Sequence, residues 1–269
     1  MRWLVQEFLN KGENSVRMAK ALDECNTEYL LVKIEEDNTL TVLDKETKVP
    51  VEGSDGVLNN FTNGHMVVVY GSKTLSDIAK TMGLYPGTFH NENFEFDVFR
   101  GWLGNELVNH DFVCGELQEL TPIADKFFIR PTGNTKLFTG QVVTREEFLD
   151  WQERENREGS PYEGQRLMMS PVRELLSEYR FFVVNQRVIT GSSYQVNGKP
   201  DVTKPISGSL LNYVEGRVFE FWVADSYVID VAETPDGFKV VEYNNTNTSG
   251  LYGCDEVAIV QAINKIQEG

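Results

Sequence analysis

Asp230, Glu242 and Asn244 have the side chains that a hard cation prefers, and they lie close together near the end of the 269-residue chain. They belong to Tyr227–Gly250, which reads Y-V-I-D-V-A-E-T-P-D-G-F-K-V-V-E-Y-N-N-T-N-T-S-G. Two β-branched apolar runs flank Thr234-Pro235-Asp236-Gly237, the punctuation of a β-hairpin. Pro presets φ at the second turn position, and Gly supplies a left-handed residue. If Gly237 forms a G1 bulge in a three-residue loop, Thr234 faces Phe238 and Asp230 faces Glu242. Asn244, two residues on, then points to the same side. Two carboxylates and an amide oxygen on one sheet face suit Mg²⁺, which takes its other ligands from water and phosphate. With a two-residue turn the register slips by one, and the two carboxylates go to opposite faces as ordinary solvated charges.

Three basic side chains have the chemistry to meet a polyphosphate. F-F-I-R-P is a strand that ends in Arg130, and T-G-N-T separates it from Lys136. Arg130 and Lys136 thus flank a turn whose N–H groups can add to a phosphate nest, although solvent-facing cations are the plainer reading. Arg180 sits in E-Y-R-F-F-V-V and shares a face with Phe182 and Val184. An Arg among such neighbours needs an anion, either Glu178 as a structural partner or a ligand phosphate. Met169, Ser170 and Val172 belong to M-M-S-P-V, where a strand ends in a bend that can offer backbone groups to a purine. There is no G-x-x-x-x-G-K-[ST] and no G-x-G-x-x-G, so P-loop and Rossmann readings lack a motif.

The elements that must position these groups follow from periodicity. Trp3–Gln6, Thr27–Ile34 and Met66–Tyr70 read as strands, and Ser15–Glu24, Lys73–Met82 and Asp97–Val108 as helices. Gly83 suits the position just past a helix, and Gly53–Gly56 and Gly87–Asn93 read as loops. Strand–helix alternation predicts a small open α/β domain. Further along, Lys126–Arg130 and Lys136–Val143 are strands, and Thr144–Glu147 is a capping box that opens a helix with Phe148 and Trp151 inward. Arg166–Val172, Tyr179–Val184, Arg187–Ser193 and the hairpin predict a largely antiparallel sheet, closed by a helix at Val257–Ile266. The organisation expected is an N-terminal α/β domain at 1–118 and a second unit at 119–269, itself divided into a small subdomain at 119–165 and a core at 166–269.

Forty-one acidic against 25 basic side chains leave a net charge of −16, which repels nucleic-acid phosphate and anionic lipid. Cys25, Cys114 and Cys254 are far apart, with no C-x-x-C, and His65, His90 and His110 have no metal spacing. A zinc site or disulfide framework is therefore not expected, and a reducing cytoplasm is. No apolar run approaches membrane-spanning length.

In order, these pieces resemble the nucleotide-binding half of the ATP-grasp superfamily. F-I-R-P supplies Arg130 where most members have Lys, T-K-L-F-T-G supplies Lys136, M-M-S-P-V looks like the adenine hinge, E-Y-R-F-F-V supplies Arg180, and V-I-D with V-E-Y-N supplies Asp230, Glu242 and Asn244. The resemblance covers roughly residues 120–269. The Arg-for-Lys exchange and E-Y-N-x-x-N-x-S-G-x-Y are closest to a divergent clade of bacterial and phage proteins. That clade also holds a eukaryotic assembly factor for a translation-initiation complex.

The resemblance implies an α/β (α+β) ATP-grasp fold with an N-terminal α/β domain, a lid at 119–165 and an antiparallel-sheet core. It also implies ATP and Mg²⁺ as cofactors and a carboxylate–amine (or thiol) ligase that works through an acyl phosphate, with a peptide or protein among possible acceptors. Arg130, Lys136, Met169, Ser170, Val172 and Arg180 would bind nucleotide, and Asp230, Glu242 and Asn244 the metal. Arg180 would also stabilise the transferring phosphoryl group. Asn245, Thr246, Ser249 and Tyr252 would lie on the acceptor side, unless they form an ordinary loop. The rival reading is an ATP-binding assembly factor that performs no ligation. A third, ligation of nucleic-acid ends, is disfavoured by the charge.

Overall fold

A computed structural model describes residues 1–7, 13–133 and 137–266, which are organised by three sheets. The first comprises β1 (Arg2–Gln6), β2 (Tyr29–Ile34), β3 (Leu40–Leu43), β4 (Val67–Tyr70) and β5 (Pro86–Gly87), in the order β3-β2-β1-β4-β5. All neighbours are parallel except β2 and β3. Helices α1 (Glu13–Glu24), α2 (Ser54–Thr62) and α3 (Lys73–Thr81) connect the strands. Leu4, Val67 and Val69 pack against Leu58 of α2 and Leu75 of α3, while Trp3, Val5 and Val68 face Met18 and Leu22 of α1. Cover on both faces is why V-V-V-Y is uniformly apolar. Gly83 follows α3 with φ 66°, the left-handed residue expected there. Helix α2 begins where a loop was expected, because Gly53 and Gly56 mask a helix whose side chains bury little beyond Leu58. Helix α4 (Phe96–Leu103) is shorter than the expected Asp97–Val108, since Gly104 turns the chain into a 3-10 turn at Gly104–Glu106.

The second sheet contains β6 (Val113–Glu116), β7 (Lys126–Pro131), β8 (Gln141–Thr144) and β9 (Arg166–Pro171), in the antiparallel order β6-β9-β7-β8. Helix α5 (Arg145–Glu155) covers one face through Phe148 and Trp151, and the Thr144–Glu147 capping box is formed. Two strands depart from expectation. β9 pairs with β7 and β6, not with the sheet that follows it, so this sheet draws strands from both sides of 119–165. The strand expected at Lys136–Val143 begins at Gln141, and Phe138 packs instead against Trp151 and Tyr162.

The third sheet is wholly antiparallel: β10 (Ser177–Val184), β11 (Arg187–Val196), β12 (Lys199–Pro200), β13 (Ser226–Thr234) and β14 (Gly237–Asn245), in the order β12-β11-β10-β13-β14. Helices α4 and α6 (Gly208–Glu220) bury one face through Phe99, Leu210 and Val214 against Phe181 and Ile229. On the other face Phe182, Val184 and Val228 join the core of the first sheet through α1 and α7 (Glu256–Ile263). This mixed α/β architecture is the fold class expected. No helix among the described residues is long and apolar enough to cross a membrane.

Candidate active site

The shared face of β10, β13 and β14 changes character along its length. Phe182, Val184 and Val228 are apolar and covered, whereas Glu178, Arg180, Asp230, Glu242 and Asn244 continue the same face beyond the cover. The second sheet stands over that polar end and leaves a cleft of about 520 Å³, lined among others by Phe128, Arg130, Val172, Glu178, Tyr194 and Glu242. Phe128 and Arg130 reach it because Phe127 and Ile129 alternate into the core under α5. Gly140 lies at the rim, where an added Cβ would lie 2.5 Å from Phe128 Cζ and push the ring aside.

The hairpin reaches the expected pairing by another route. Thr234 pairs with Gly237 and Glu233 with Phe238, so the loop has two residues and the bulge predicted at Gly237 is not the device. The register instead shifts between Val231, opposite Val240, and Asp230, opposite Glu242, which leaves Val241 as the extra residue. Without that shift Glu242 would face Ile229 and point into the apolar side. Burying a lone carboxylate there costs several kcal/mol, against about 1 kcal/mol for an interrupted ladder bond.

Asp230 is the anion that Arg180 requires, and Glu178 is not. Arg180 Nε donates to Asp230 Oδ1 at 2.8 Å and Nη2 to Oδ2 at 2.7 Å, directly across the β10–β13 ladder. Both are buried, with Asp230 2% exposed. Burial works against the Arg180 charge, but the Asp230 charge and hydrogen bonds outweigh it and hold its pKa above the ordinary value. Burial also pushes the Asp230 carboxyl up, with Arg180 pulling the other way. Arg180 Nη1 donates to the Gly250 carbonyl at 3.2 Å, and its guanidinium lies 5.0 Å from the Tyr252 ring centroid. Glu178 accepts from the Tyr194 hydroxyl at 2.8 Å instead. Burial, with the charges of Asp230 and Glu242, raises its pKa although Tyr194 lowers it. Arg130 Nη1 crosses from the second sheet to Glu242 Oε2 at 3.0 Å.

Among the described residues no three His, Cys, Asp or Glu side chains gather as a metal-holding group. Mg²⁺ at the expected ligands Asp230, Glu242 and Asn244 would need phosphate and water to complete its shell. The donor types fit, since all three side chains share one face. Asn244 presents Nδ2 to Asp230 Oδ2 at 3.0 Å and to Glu242 Oε1 at 2.8 Å, and turning the amide over offers Oδ1 in the same place.

The remaining expected residues divide. Val172 is 47% exposed and lines the cleft. The Met169 side chain lies in the core under α5, because alternation along β9 turns it away, so only its main chain is placed to meet a ligand. Ser170 is fully buried, and its hydroxyl donates to Asn109 Oδ1 at 3.0 Å. Lys136 lies outside the described residues. Thr246 and Ser249 do not form an acceptor surface, whereas Asn245 also lines a cavity with His90, Phe94 and Thr248. A 3-10 turn at Thr246–Thr248 folds the segment beneath the first sheet, where Asn245 Nδ2 donates to Thr88 Oγ1, Thr246 pairs with Ser226, and Ser249 Oγ donates to the Asn245 carbonyl. Tyr252 stays accessible and stacks on Tyr194.

Several neighbours carried no usable sequence signal. Asn109 and Asp111 tie the segment after α4 to Ser170 and Arg173 at the end of β9, and Phe96 lies under the Arg130 guanidinium. Glu178, two residues from Arg180 on one strand, was legible as sharing its face but not as the partner of Tyr194.

Comparison with known proteins bears on the family and the fold. A family model described as "ATP-grasp domain, R2K clade family 3" matches residues 103–263, which span the second and third sheets. D-alanyl-alanine synthetase A from Vibrio cholerae O1 biovar eltor str. N16961 has a TM-score of 0.60 at 10% identity, covering 98% of this chain and 97% of its own. D-cycloserine synthetase DcsG has a TM-score of 0.60 at 10% identity and covers 98% of both chains. The ATP-grasp ligase PsnB, solved with a minimal precursor, has a TM-score of 0.55 at 11% identity over 97% of both. At these identities the likeness is one of fold. No curated protein matches the chain in sequence.

Proposed function

The chain belongs to family 3 of the R2K clade of ATP-grasp domains, and from that membership we propose an ATP- and Mg²⁺-dependent ligase that joins a carboxylate to an amine or thiol. The supporting observation is the meeting in one cleft of Arg130, from the sheet read as the lid, with Glu242, Asp230 and Asn244 of the core. The division into an N-terminal domain, a lid carried on the second sheet and a core is part of the same proposal.

In the proposed reaction a substrate carboxylate oxygen bonds to the γ-phosphorus as the bond to the β–γ bridging oxygen breaks, and ADP leaves. An amine nitrogen or thiol sulfur then bonds to the acyl carbon, phosphate departs with the C–O bond, and the nucleophile loses its proton. Mg²⁺, held by Asp230, Glu242 and Asn244, would supply charge stabilisation at the phosphate oxygens. Arg130 binds the polyphosphate from the lid side, and Lys136, six residues further along the sequence, is assigned the same ligand. Val172 and the main chain at Met169–Ser170 hold the base. Arg180 positions Asp230. Three of its five N–H groups are committed, leaving two for a phosphoryl oxygen.

On the far side of the Arg130–Glu242 pair lies a second cavity of about 230 Å³, walled by His90, Phe94, Phe99, Phe138 and Thr248. A cavity of that size suits one amino acid or the end of a peptide. The acceptor is read accordingly. A cytoplasmic setting, with ATP at hand and the three cysteines reduced, goes with this function. The test is ADP formation from ATP and Mg²⁺ across a panel of amino acids and peptides. ADP release that depends on one class of acceptor is expected. A stable ATP complex that yields no ADP with any acceptor would favour an assembly factor.

A further inference from the structure

Every oxygen of the two carboxylates read as metal ligands already has a donor. Asp230 Oδ1 and Oδ2 take Arg180 Nε and Nη2, Glu242 Oε2 takes Arg130 Nη1, and Asn244 Nδ2 donates to Asp230 Oδ2 and Glu242 Oε1. Positive or amide N–H groups thus point where a cation would have to bind. Two guanidinium groups and two carboxylates leave the cluster formally neutral. Glu178, held by Tyr194, adds at most one negative charge. A dication entering this half-buried cluster alone would bring at least one charge that nothing in it balances.

The two arginines are not equivalent. Arg180 is 10% exposed at the side chain and is gripped by both Asp230 oxygens and the Gly250 carbonyl. Arg130 is 20% exposed, holds Glu242 by a single bond, and stands on the opposite sheet across the cleft. Arg130 is therefore the partner that can leave. A polyphosphate offers it a guanidinium–phosphate pair in exchange and simultaneously delivers a cation to the Glu242 it vacates. Either component alone fails: metal without phosphate meets Arg130, and phosphate without metal meets a freed carboxylate.

Building on the ligase reading, we propose that the Arg130–Glu242 pair excludes free divalent metal and admits it only as its polyphosphate complex, by exchange of ionic partners. Arg130 has two successive partners, Glu242 before nucleotide arrives and phosphate afterwards.

Mn²⁺ serves as the spectroscopic probe. Free Mn²⁺ is measured by electron paramagnetic resonance with the full-length protein, with and without a non-hydrolysable ATP analogue. The wild type is expected to take up Mn²⁺ with the analogue and to bind it at least about tenfold more weakly without it. Arg130→Met is expected to bind Mn²⁺ alone about tenfold more tightly than wild type does, while analogue binding weakens. Arg130→Lys should restore the exclusion, since one ammonium can still pair with Glu242. Equal Mn²⁺ affinity of the wild type with and without analogue would overturn the proposal, as would a folded Arg130→Met protein that gains no metal binding. If that variant does not fold, Arg130→Gln, which also removes the charge, takes its place in the same comparison. No Mn²⁺ uptake even with the analogue removes this inference and the metal reading together. Mn²⁺ uptake as described with no ADP from any acceptor leaves the inference standing and removes only the ligase chemistry.

Discussion

Glu242 lies directly across the ladder from Asp230 because β14 carries one residue more than β13 between that pair and the turn, the bulged Val241. The bulge returns a carboxylate to the polar face that a two-residue turn would otherwise bury. It also bends the strand at the point where Leu107 bridges to Val240, next to the cleft. Bulges of this kind commonly re-aim side chains beside functional sites.

Asp230→Asn is expected to act on stability as well as on metal binding. It would leave the Arg180 guanidinium buried without its counter-ion, and breaking a buried pair from one side costs about 3–5 kcal/mol. Arg180→Met should cost a comparable amount, and Asp230→Asn combined with Arg180→Met less than the sum of the two single changes. Chemical denaturation of the four proteins checks this. Additive losses would show that the pair is not coupled.

Glu178 gives a pH dependence of defined sign. Burial raises its folded pKa above the unfolded value, so the folded state holds that proton more tightly than the unfolded chain does. Its contribution is destabilising above the folded pKa and disappears below the unfolded value of about 4.3. Glu178→Gln is expected to melt above wild type at pH 7, with the gap closing as pH falls toward that value. A gap independent of pH, or of opposite sign, would remove the electrostatic cause.

Gly140→Ala should disturb the cleft more than the fold. The new Cβ would meet the Phe128 ring at 2.5 Å and Arg130 Cβ at 3.3 Å, and both side chains face the nucleotide side. Overpacking of this kind costs about 1–3 kcal/mol, and here a ring that borders a cleft can move aside. Nucleotide affinity is expected to fall more than about tenfold while the melting temperature drops by only a few degrees. A titration calorimetry and melting comparison separates the two effects.

How much of this was legible depends on whether a signal is local. The Thr144–Glu147 capping box, the uniformly apolar Val67–Tyr70 strand and the Phe148/Trp151 face write their cause into adjacent residues, and each formed as read. The bulge at Val241 was hidden because Val carries no mark of an irregular backbone, whereas Gly237 did and was credited with the bulge instead. The placement of β9 beside β7 and the capture of Arg180 by Asp230 are non-local pairings that spacing along the chain does not encode. Asn245, Thr246 and Ser249 looked like a ligand surface because they are polar. Thr246 and Ser249 spend their hydroxyls locally, on Ser226 of β13 and on the Asn245 carbonyl, and the Asn245 amide reaches Thr88 just past β5.

The central claim is that Glu242 and its neighbours bind nucleotide through metal. Titration calorimetry of a non-hydrolysable ATP analogue, with and without Mg²⁺, into folded wild type and Glu242→Gln tests it most directly. Glu242 is partly exposed and its pair with Arg130 contributes at most about 1 kcal/mol, so the variant should stay folded. The expected result is Mg²⁺-dependent binding by the wild type and an affinity at least about tenfold lower for Glu242→Gln with Mg²⁺ present. Binding that is indifferent to Mg²⁺ and equal in the two proteins would contradict the account.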